Sequence, residues 1–573
     1  MKKILIIIIV CANMMSFSAC DDFLKEEPKS QLTNVGYYTT EAQAVANVNY
    51  LYRTGAIRQI ASAPSAYLGS FATVTGMLTG YFSNSYEGQE VVCKYSRELS
   101  RQKYTMQISG TVDGVWDACY NAINVANSAI KYIPSIPMED SSISKYVAEA
   151  KFFRAFNYFY LVKTFGAIPF YTEPYEAAVD MELERTGVEV VYAQIESDLK
   201  DAVEILPASK FAANAHRITK YAAAMLLTNV YMQKGKYAEA TKYARIVINS
   251  PHKLVMNEDL AMNSAFNKLR SIDDLDEVIY AQEYDNSINT SDWLPSYSCS
   301  SNATTVFGTY SIMERVYGPT DRFLNVYSPN DLRIQPNQFF HWEYTNPNTG
   351  KKWSSSTAGC WYYFDEEALL NTGKGTKDWN IYRYAEALLA GAESIAQSEG
   401  VTSEAAGYLA QVQARSNMDG KSVEEISSEL MKLSKQAFIE ACWTERLREF
   451  PLEYKIWDDC TRTGMFPVIS ETDKGKVRYV TLLGAQNAAG ATFKESDLLW
   501  PMHGRAVDIK RPEAEQERRV IRPRLDAHLA AHTVRVDDLS CLQIRFLHIR
   551  CPLFGCRCKK RTARVQRVFC VNP

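Results

Sequence analysis

The sequence predicts a mainly α-helical scaffold of stacked helices, carrying long loops and minor β structure. Three observations lead there. Apolar residues recur at steps of three and four in several segments. One pair of such segments alternates small and large residues around a glycine turn. Between 251 and 380 the helical stripes give way to Ser, Asn, Thr, Pro and aromatic residues. The chain of 573 residues is 46% hydrophobic, which excludes a disordered or collagen-like chain and a small disulfide scaffold. Its net charge of −3 argues against a nucleic-acid binder. Only 7 histidines, against 35 tyrosines, leave little material for His-based metal or proton chemistry.

The start of the chain reads as an address. Lys2 and Lys3 precede the apolar run Ile4 to Val10, and Ser16-Phe17-Ser18-Ala19 precede Cys20. That is a signal peptide over 1–19, too short to span a bilayer. Small residues directly before a cysteine resemble the lipobox of bacterial lipoproteins, with Phe17 where that pattern carries Leu. The resemblance implies lipidation of Cys20. An acidic, Pro-containing tether over 20–34 would follow.

The helical body is expected from 35 to 502. In its N-terminal part, 35–250, Glu41–Tyr52 reads as a helix, and Val112–Tyr132 as a second that stops before Pro134. In the third, Ala148, Phe152, Ala155, Phe159 and Val162 share one face, and Gly166 and Pro169 end it. The fourth opens on Thr186-Gly187-Val188-Glu189, a capping-box pattern, and Pro207 stops it. The pair Thr219–Gln233 and Tyr237–Asn249, joined by Lys234-Gly235-Lys236, resembles a tetratricopeptide repeat over 219–249. Such a unit cannot bury its face alone, so neighbours must stack on it. The loop-rich part, 251–380, is expected to hold short strands and helices; a shorter stretch of the same kind is Gly55–Lys103. In the C-terminal part, 381–502, helices are expected at Ile381–Gln397 and Val423–Phe450.

The last 71 residues differ from all of this. From His503 to Pro573 the chain carries 16 Lys+Arg, 7 Asp+Glu, four histidines, five cysteines and neither Tyr nor Trp. With +9 there, the preceding residues carry −12. We read 503–573 as an aberrant basic tail, the product of translation past a frameshift near His503, in the gene or in its recorded sequence.

The order of short motifs resembles the SusD/RagB family of outer-membrane nutrient-binding lipoproteins of Bacteroidetes. The motifs are Cys20-Asp21-Asp22-Phe23-Leu24, Trp116 with Tyr120, Ile123 and Asn127, Glu149 through Arg154 to Phe159, and Phe165-Gly166-Ala167-Ile168-Pro169. They continue with Arg217 to Ala223, Glu277-Val278-Ile279-Tyr280, Asp331-Leu332-Arg333, Tyr382-Arg383-Tyr384-Ala385-Glu386, Glu445-Arg446, Arg462-Thr463-Gly464 and Trp500-Pro501-Met502. Tyr454 and Ile456 stand where the family has Gly and Arg, and the family's closing segment is replaced by the tail. The resemblance implies a non-enzymatic, lipid-anchored binder on the outer face of the outer membrane. It would capture an oligosaccharide, or in some members a peptide, and pass it to a SusC-type TonB-dependent transporter.

Aromatic faces and oriented Asn, Asp and Arg groups suit sugars. The loops offer Tyr81, Phe82, Asn84 and Tyr86, then Tyr284, Trp293, Tyr297, Phe307 and Tyr310, then Trp342, Trp353 and Trp361. Because the family draws its ligand face from the first two groups, Tyr81, Asn84, Trp293 and Tyr297 are the expected ligand residues. A glycoside hydrolase is the competing reading, but Glu445 and Glu449 lie on one helix face, whereas glycosidase carboxylates flank the sugar from opposite sides. We expect them in a structural ion-pair network with Arg446 and Arg448. The acidic run Asp273-Asp274-Leu275-Asp276-Glu277 lacks the glycine and terminal glutamate spacing of a calcium loop and reads as a solvated turn. No catalytic residue, metal site or cofactor is expected. Cys93, Cys119, Cys299, Cys360, Cys442 and Cys460 are far apart, and no essential disulfide is expected.

Overall fold

The computed structural model describes residues 37–61, 71–86, 91–100, 109–175, 183–285, 292–308 and 315–501. The signal peptide, Cys20, the tether, Tyr310 and the tail 503–573 lie outside the described residues.

Helices that cannot bury their apolar faces singly do so by stacking in chain order. α1 (Glu41–Leu51) is held at its start by a capping box between Thr40 and Gln43. It lies on α2 (Ser109–Tyr132) and α3 (Asp140–Phe165). α4 (Val188–Ile205) packs on α3, α5 (Lys220–Gln233) on α4, and α6 (Tyr237–Ile248) on α5. The repeat-like pair α5–α6 is therefore enclosed on both sides, because α6 also meets α8, beyond the short α7 (Ala265–Ser271). α8 (Tyr384–Ser398) in turn carries α9 (Ser403–Ser416) and α11 (Lys435–Glu449), and α10 (Val423–Leu430) rests on α9. α12 (Ile456–Thr463) ends on Gly464 at φ 68°, a left-handed cap that favours glycine. Among the described residues no helix is long and apolar enough to cross a membrane.

Several boundaries differ from the sequence expectation, each for a local reason. α3 shows a four-three apolar face, yet Phe153, Phe156, Tyr158 and Tyr160 on its other sides are buried too, because neighbours enclose it from every side. α4 is capped by Gly187 with no side-chain bond, and Thr186 instead pairs with Ile168 in a two-residue strand, so the capping box does not form. Trp379–Arg383 is a strand, and α8 begins only at Tyr384. The span 423–450 breaks into α10 and α11, where the Ser434 side chain accepts from the Ala437 N–H and starts a new helix. α9 carried no stripe strong enough to be read from sequence.

Apart from isolated bridges, the strands among the described residues lie in two-stranded antiparallel pairs. β1 (Val278–Gln282) pairs with β4 (Trp379–Arg383), and β2 (Phe340–Thr345) with β3 (Lys352–Cys360). β5 (Met465–Ile469) pairs with β6 (Val477–Thr481). β1 and β4 thus tie both ends of the loop-rich part to the helical array.

A buried ionic hub fixes that junction. Glu449 of α11 meets Arg333 (3.1 Å), Arg383 of β4 (3.1 Å) and Arg415 of α9 (2.5 Å). Arg333 also holds Asp331 (2.8 Å) and Glu445 (2.7 Å), and Arg415 holds Glu277 (2.6 Å). Burial alone would raise the Glu449 carboxyl, but Arg415, Arg383 and Arg333 hold it below the usual carboxylate range. The expected network around Glu445 and Glu449 is present with other partners. Arg446 turns to Asp459 (2.9 Å), and Arg448 stands 3.9 Å from Glu445. Most of the charged motif residues serve such internal pairs: Arg154 with Asp198 (2.7 Å), Arg217 with Glu149 (2.6 Å) and Arg462 with Glu393 (2.6 Å).

Candidate functional site: an aromatic platform and an acid-lined cavity

The four expected ligand residues fall into two environments. Tyr81 is fully buried. Its hydroxyl donates to the Pro467 carbonyl (2.6 Å) and accepts from the Ile469 N–H (3.0 Å), and its ring stacks on Phe466. It pins the first loop region to β5. Asn84 is buried as well; its Oδ1 accepts from the Tyr86 N–H (2.7 Å) and its Nδ2 donates to Cys93 Sγ (3.4 Å). Both face inward in this structure.

Trp293 and Tyr297 come together on the one-turn helix Leu294–Tyr297, which Pro295 starts. Their rings stack at 6.1 Å and 15°. Tyr297 is buried beneath, and Trp293 is half-buried, with the Lys374 ammonium 4.8 Å from its ring centre. The first loop region adjoins this platform through Phe82, which stacks on Tyr317 at 4.4 Å; the Tyr317 N–H donates to the Tyr297 carbonyl (3.3 Å).

Asp292, Leu294 and Pro295, next to the platform in the chain, line a cavity of about 460 Å³ that neither Trp293 nor Tyr297 borders, within the range of small-molecule sites. Asp292 and Gly375 exchange two backbone hydrogen bonds (3.0 and 2.9 Å), which fasten the Trp293 turn to the cavity wall. The rim is exposed at Ser271, Glu366 and Glu367, and the floor is buried at Trp379, Leu452 and Glu453. On one side Arg270 lies over Trp361 (4.9 Å), itself stacked on Phe364 at 4.4 Å, and donates to the Phe364 carbonyl (2.8 Å).

The carboxyls here behave unlike those of the hub. Asp292 accepts from the Leu294 N–H (2.7 Å) but, among the described residues, has no cation in contact; burial first, and Asp365 nearby, push its carboxyl up to about 7. Burial, then Asp273 and Glu283, push Asp378 up to about 7. Glu453 stands at the boundary. Its Oε1 accepts from Arg383 Nε (2.8 Å), while its Oε2 is buried with no hydrogen-bonding partner. Burial raises its carboxyl despite Arg383. The next residue, Tyr454, has φ 58° and ψ 32°, the left-handed region where an L side chain costs roughly 1–2 kcal/mol. This is the position where the resembled family carries glycine. Here the ring is retained instead, stacked on Trp379 at 5.1 Å and edge-on to Tyr317 at 4.7 Å. A second cavity of about 140 Å³, toward α3 and α12, shares Trp379, Asn380 and Glu453 as its wall.

Sequence reading missed Asp292, Lys374, Trp379 and Glu453. Asp292 adjoins Trp293 and was within reach of a local argument; Glu453 carried no signal. The acidic run is not solvated throughout. Asp273 pairs with Lys377 (2.8 Å), Asp274 with His216 (2.9 Å), and Glu277 is in the hub. Cys93, Cys119, Cys299, Cys360, Cys442 and Cys460 are each buried.

Comparison with known proteins identifies this helical array as one of the SusD type. A family described as "Starch-binding associating with outer membrane" matches residues 22–232, and the SusD family matches residues 313–508. SusD-like protein P2 of Formosa agariphila is 25% identical over 486 residues, 81% of this chain and 91% of the relative. A SusD superfamily protein from Parabacteroides distasonis has the same fold, with TM-score 0.67 at 22% identity over 81% of this chain and 96% of that one. Surface glycan-binding protein A of Bacteroides thetaiotaomicron, solved with laminarihexaose, has TM-score 0.60 at 17% identity over 82% of this chain and 98% of that one. The chain belongs to the SusD/RagB family, whose members are associated with the outer membrane.

Proposed function

We propose that this protein is a non-catalytic glycan-binding lipoprotein, held in the outer membrane by lipidated Cys20 and facing the exterior. It captures oligosaccharides and passes them to a SusC-type TonB-dependent transporter. The observation that carries the reading is the half-buried Trp293, backed by Tyr297, in a turn whose neighbours Asp292, Leu294 and Pro295 line a cavity of aromatic rings and carboxyls. A pyranose ring offers flat C–H faces to such a ring and hydroxyls to its polar surroundings. Lys374, on a flexible four-carbon stem, donates to a sugar hydroxyl beside the ring. Of the four expected residues, Trp293 makes the contact and Tyr297 supports it, while Tyr81 and Asn84 brace the loops from within.

The test is calorimetric titration of the full chain with neutral and charged oligosaccharides and with peptides, with a parallel assay for released product. Saturable glycan binding without turnover is expected. Turnover would make it a glycoside hydrolase; binding of peptides alone would assign it to peptide capture.

A further inference from the structure

A strained residue marks the boundary between the two cavities. Tyr454 sits at φ 58° and ψ 32° on a left-handed turn, where an L side chain is disfavoured. The turn is clamped on both sides. Glu453 Oε1 accepts from Arg383 Nε (2.8 Å), and the Lys455 ammonium donates to the Ile381 carbonyl (2.8 Å). Both clamps reach β4, the strand that also carries Trp379. Strain that the surroundings enforce in this way points to a role for the group it presents, which here is the Tyr454 ring.

That ring is one of three near-parallel rings. Trp379 lies 5.1 Å and 26° from Tyr454, and 6.3 Å and 29° from Tyr363. Tyr363 lines the cavity of about 460 Å³, Tyr454 lines the cavity of about 140 Å³, and Trp379 lines both. Trp379, Asn380 and Glu453 are common to the two linings, so a single layer of side chains separates them. Tyr454 also reaches toward the platform: Tyr317 stands edge-on to it at 4.7 Å and donates its N–H to the Tyr297 carbonyl (3.3 Å). A glycine would take this turn without strain, but would leave Trp379 without its facing ring.

We infer that Tyr454 is a positioning residue that sets specificity: through Trp379 it closes the floor of the larger cavity and so limits how much of a glycan that cavity admits. The inference rests on the glycan-binding reading. Tyr454 borders the smaller cavity and not the larger one, so its effect on a ligand passes through the Trp379 ring.

The test compares the full chain with Tyr454→Gly, Tyr454→Asn and Tyr454→Phe. Glycine and asparagine accept the left-handed turn and remove the ring, whereas phenylalanine keeps it. The unliganded crystal structure of Tyr454→Gly should show Trp379 displaced and the two cavities joined, and that of Tyr454→Phe should match the parent. Calorimetry with the trimer and hexamer of glucose, of xylose and of mannose then reads the consequence. For the sugar that binds, the ratio of hexamer to trimer affinity should rise about fivefold in Tyr454→Gly and Tyr454→Asn, from contacts in the added space, and stay within about twofold of the parent in Tyr454→Phe. Separate cavities in Tyr454→Gly, or an unchanged ratio in both ringless variants, would overturn the inference and leave glycan capture standing. Unfolding of both ringless variants beside an intact Tyr454→Phe would make the ring a structural prop and also overturn it. Failure of the parent to bind any of these sugars or any other glycan would sink glycan capture, and the specificity role with it.

Discussion

Glu449 and Asp292 are both buried carboxyls, and their surroundings shift them in opposite directions. In the hub, three arginines from separate elements hold Glu449 below the usual range. In the cavity wall, burial that the Leu294 N–H only partly offsets pushes Asp292 up to about 7. In the hub every carboxylate meets at least one arginine, which ties α9, α11 and β4 together. In the cavity wall Asp292 meets no cation among the described residues. Glu453 stands between them: one oxygen accepts from Arg383, and the other is buried without a partner among the described residues. The contrast teaches where to look for function: pairing that is complete holds the fold, and pairing left incomplete beside a solvent-reaching cavity is free to meet a ligand.

The contrast breaks most visibly if Arg383 is removed. Arg383→Met strands Glu453 and takes one arginine from each of Glu277 and Glu449, and should cost about 3–5 kcal/mol in denaturant unfolding. A loss below 1 kcal/mol would show that the hub does not hold the junction.

Asp292 should act the opposite way. Its folded value lies above its ordinary 3.8, so the fold binds its proton more tightly than the unfolded chain does. Its contribution is therefore present at low pH and is lost as pH rises from about 4 to about 7, at up to about 1.4 kcal/mol per unit. Asp292→Asn should be more stable than the parent at pH 8 and should flatten that slope; an unchanged slope would mean that Asp292 ionises freely.

Smaller effects separate bracing from binding. Tyr81→Phe leaves the Pro467 carbonyl and the Ile469 N–H without their partner and should cost about 1–3 kcal/mol of stability with glycan affinity unchanged. Trp293→Ala should do the reverse, losing about tenfold in affinity at constant melting temperature. If Tyr81→Phe lowered affinity with unchanged stability, the two roles would have to be exchanged.

The same contrast explains what was legible in the sequence. The stacked helices were readable because periodicity is local: α3, the α5–α6 pair and the caps at Thr219 and Gly464 are written within a few residues. The motif residues Glu277, Arg333, Arg383 and Glu445 could be recognised in order, but their convergence spans more than 160 residues of chain and needs the fold. The site was harder. Trp293 and Tyr297, four apart, were found together. Tyr81 looked equivalent, yet an aromatic in a loop points inward or outward according to distant partners, here β5. Glu453 is defined by an oxygen without a partner, which sequence does not encode locally.

The most direct test is the structure of the full chain with a bound oligosaccharide. One sugar ring should lie against Trp293, with the next beside the Asp292, Leu294 and Pro295 wall of the 460 Å³ cavity. A glycan bound on another face, with Trp293 uncontacted and the cavity unchanged, would contradict the assignment of this region as the ligand site.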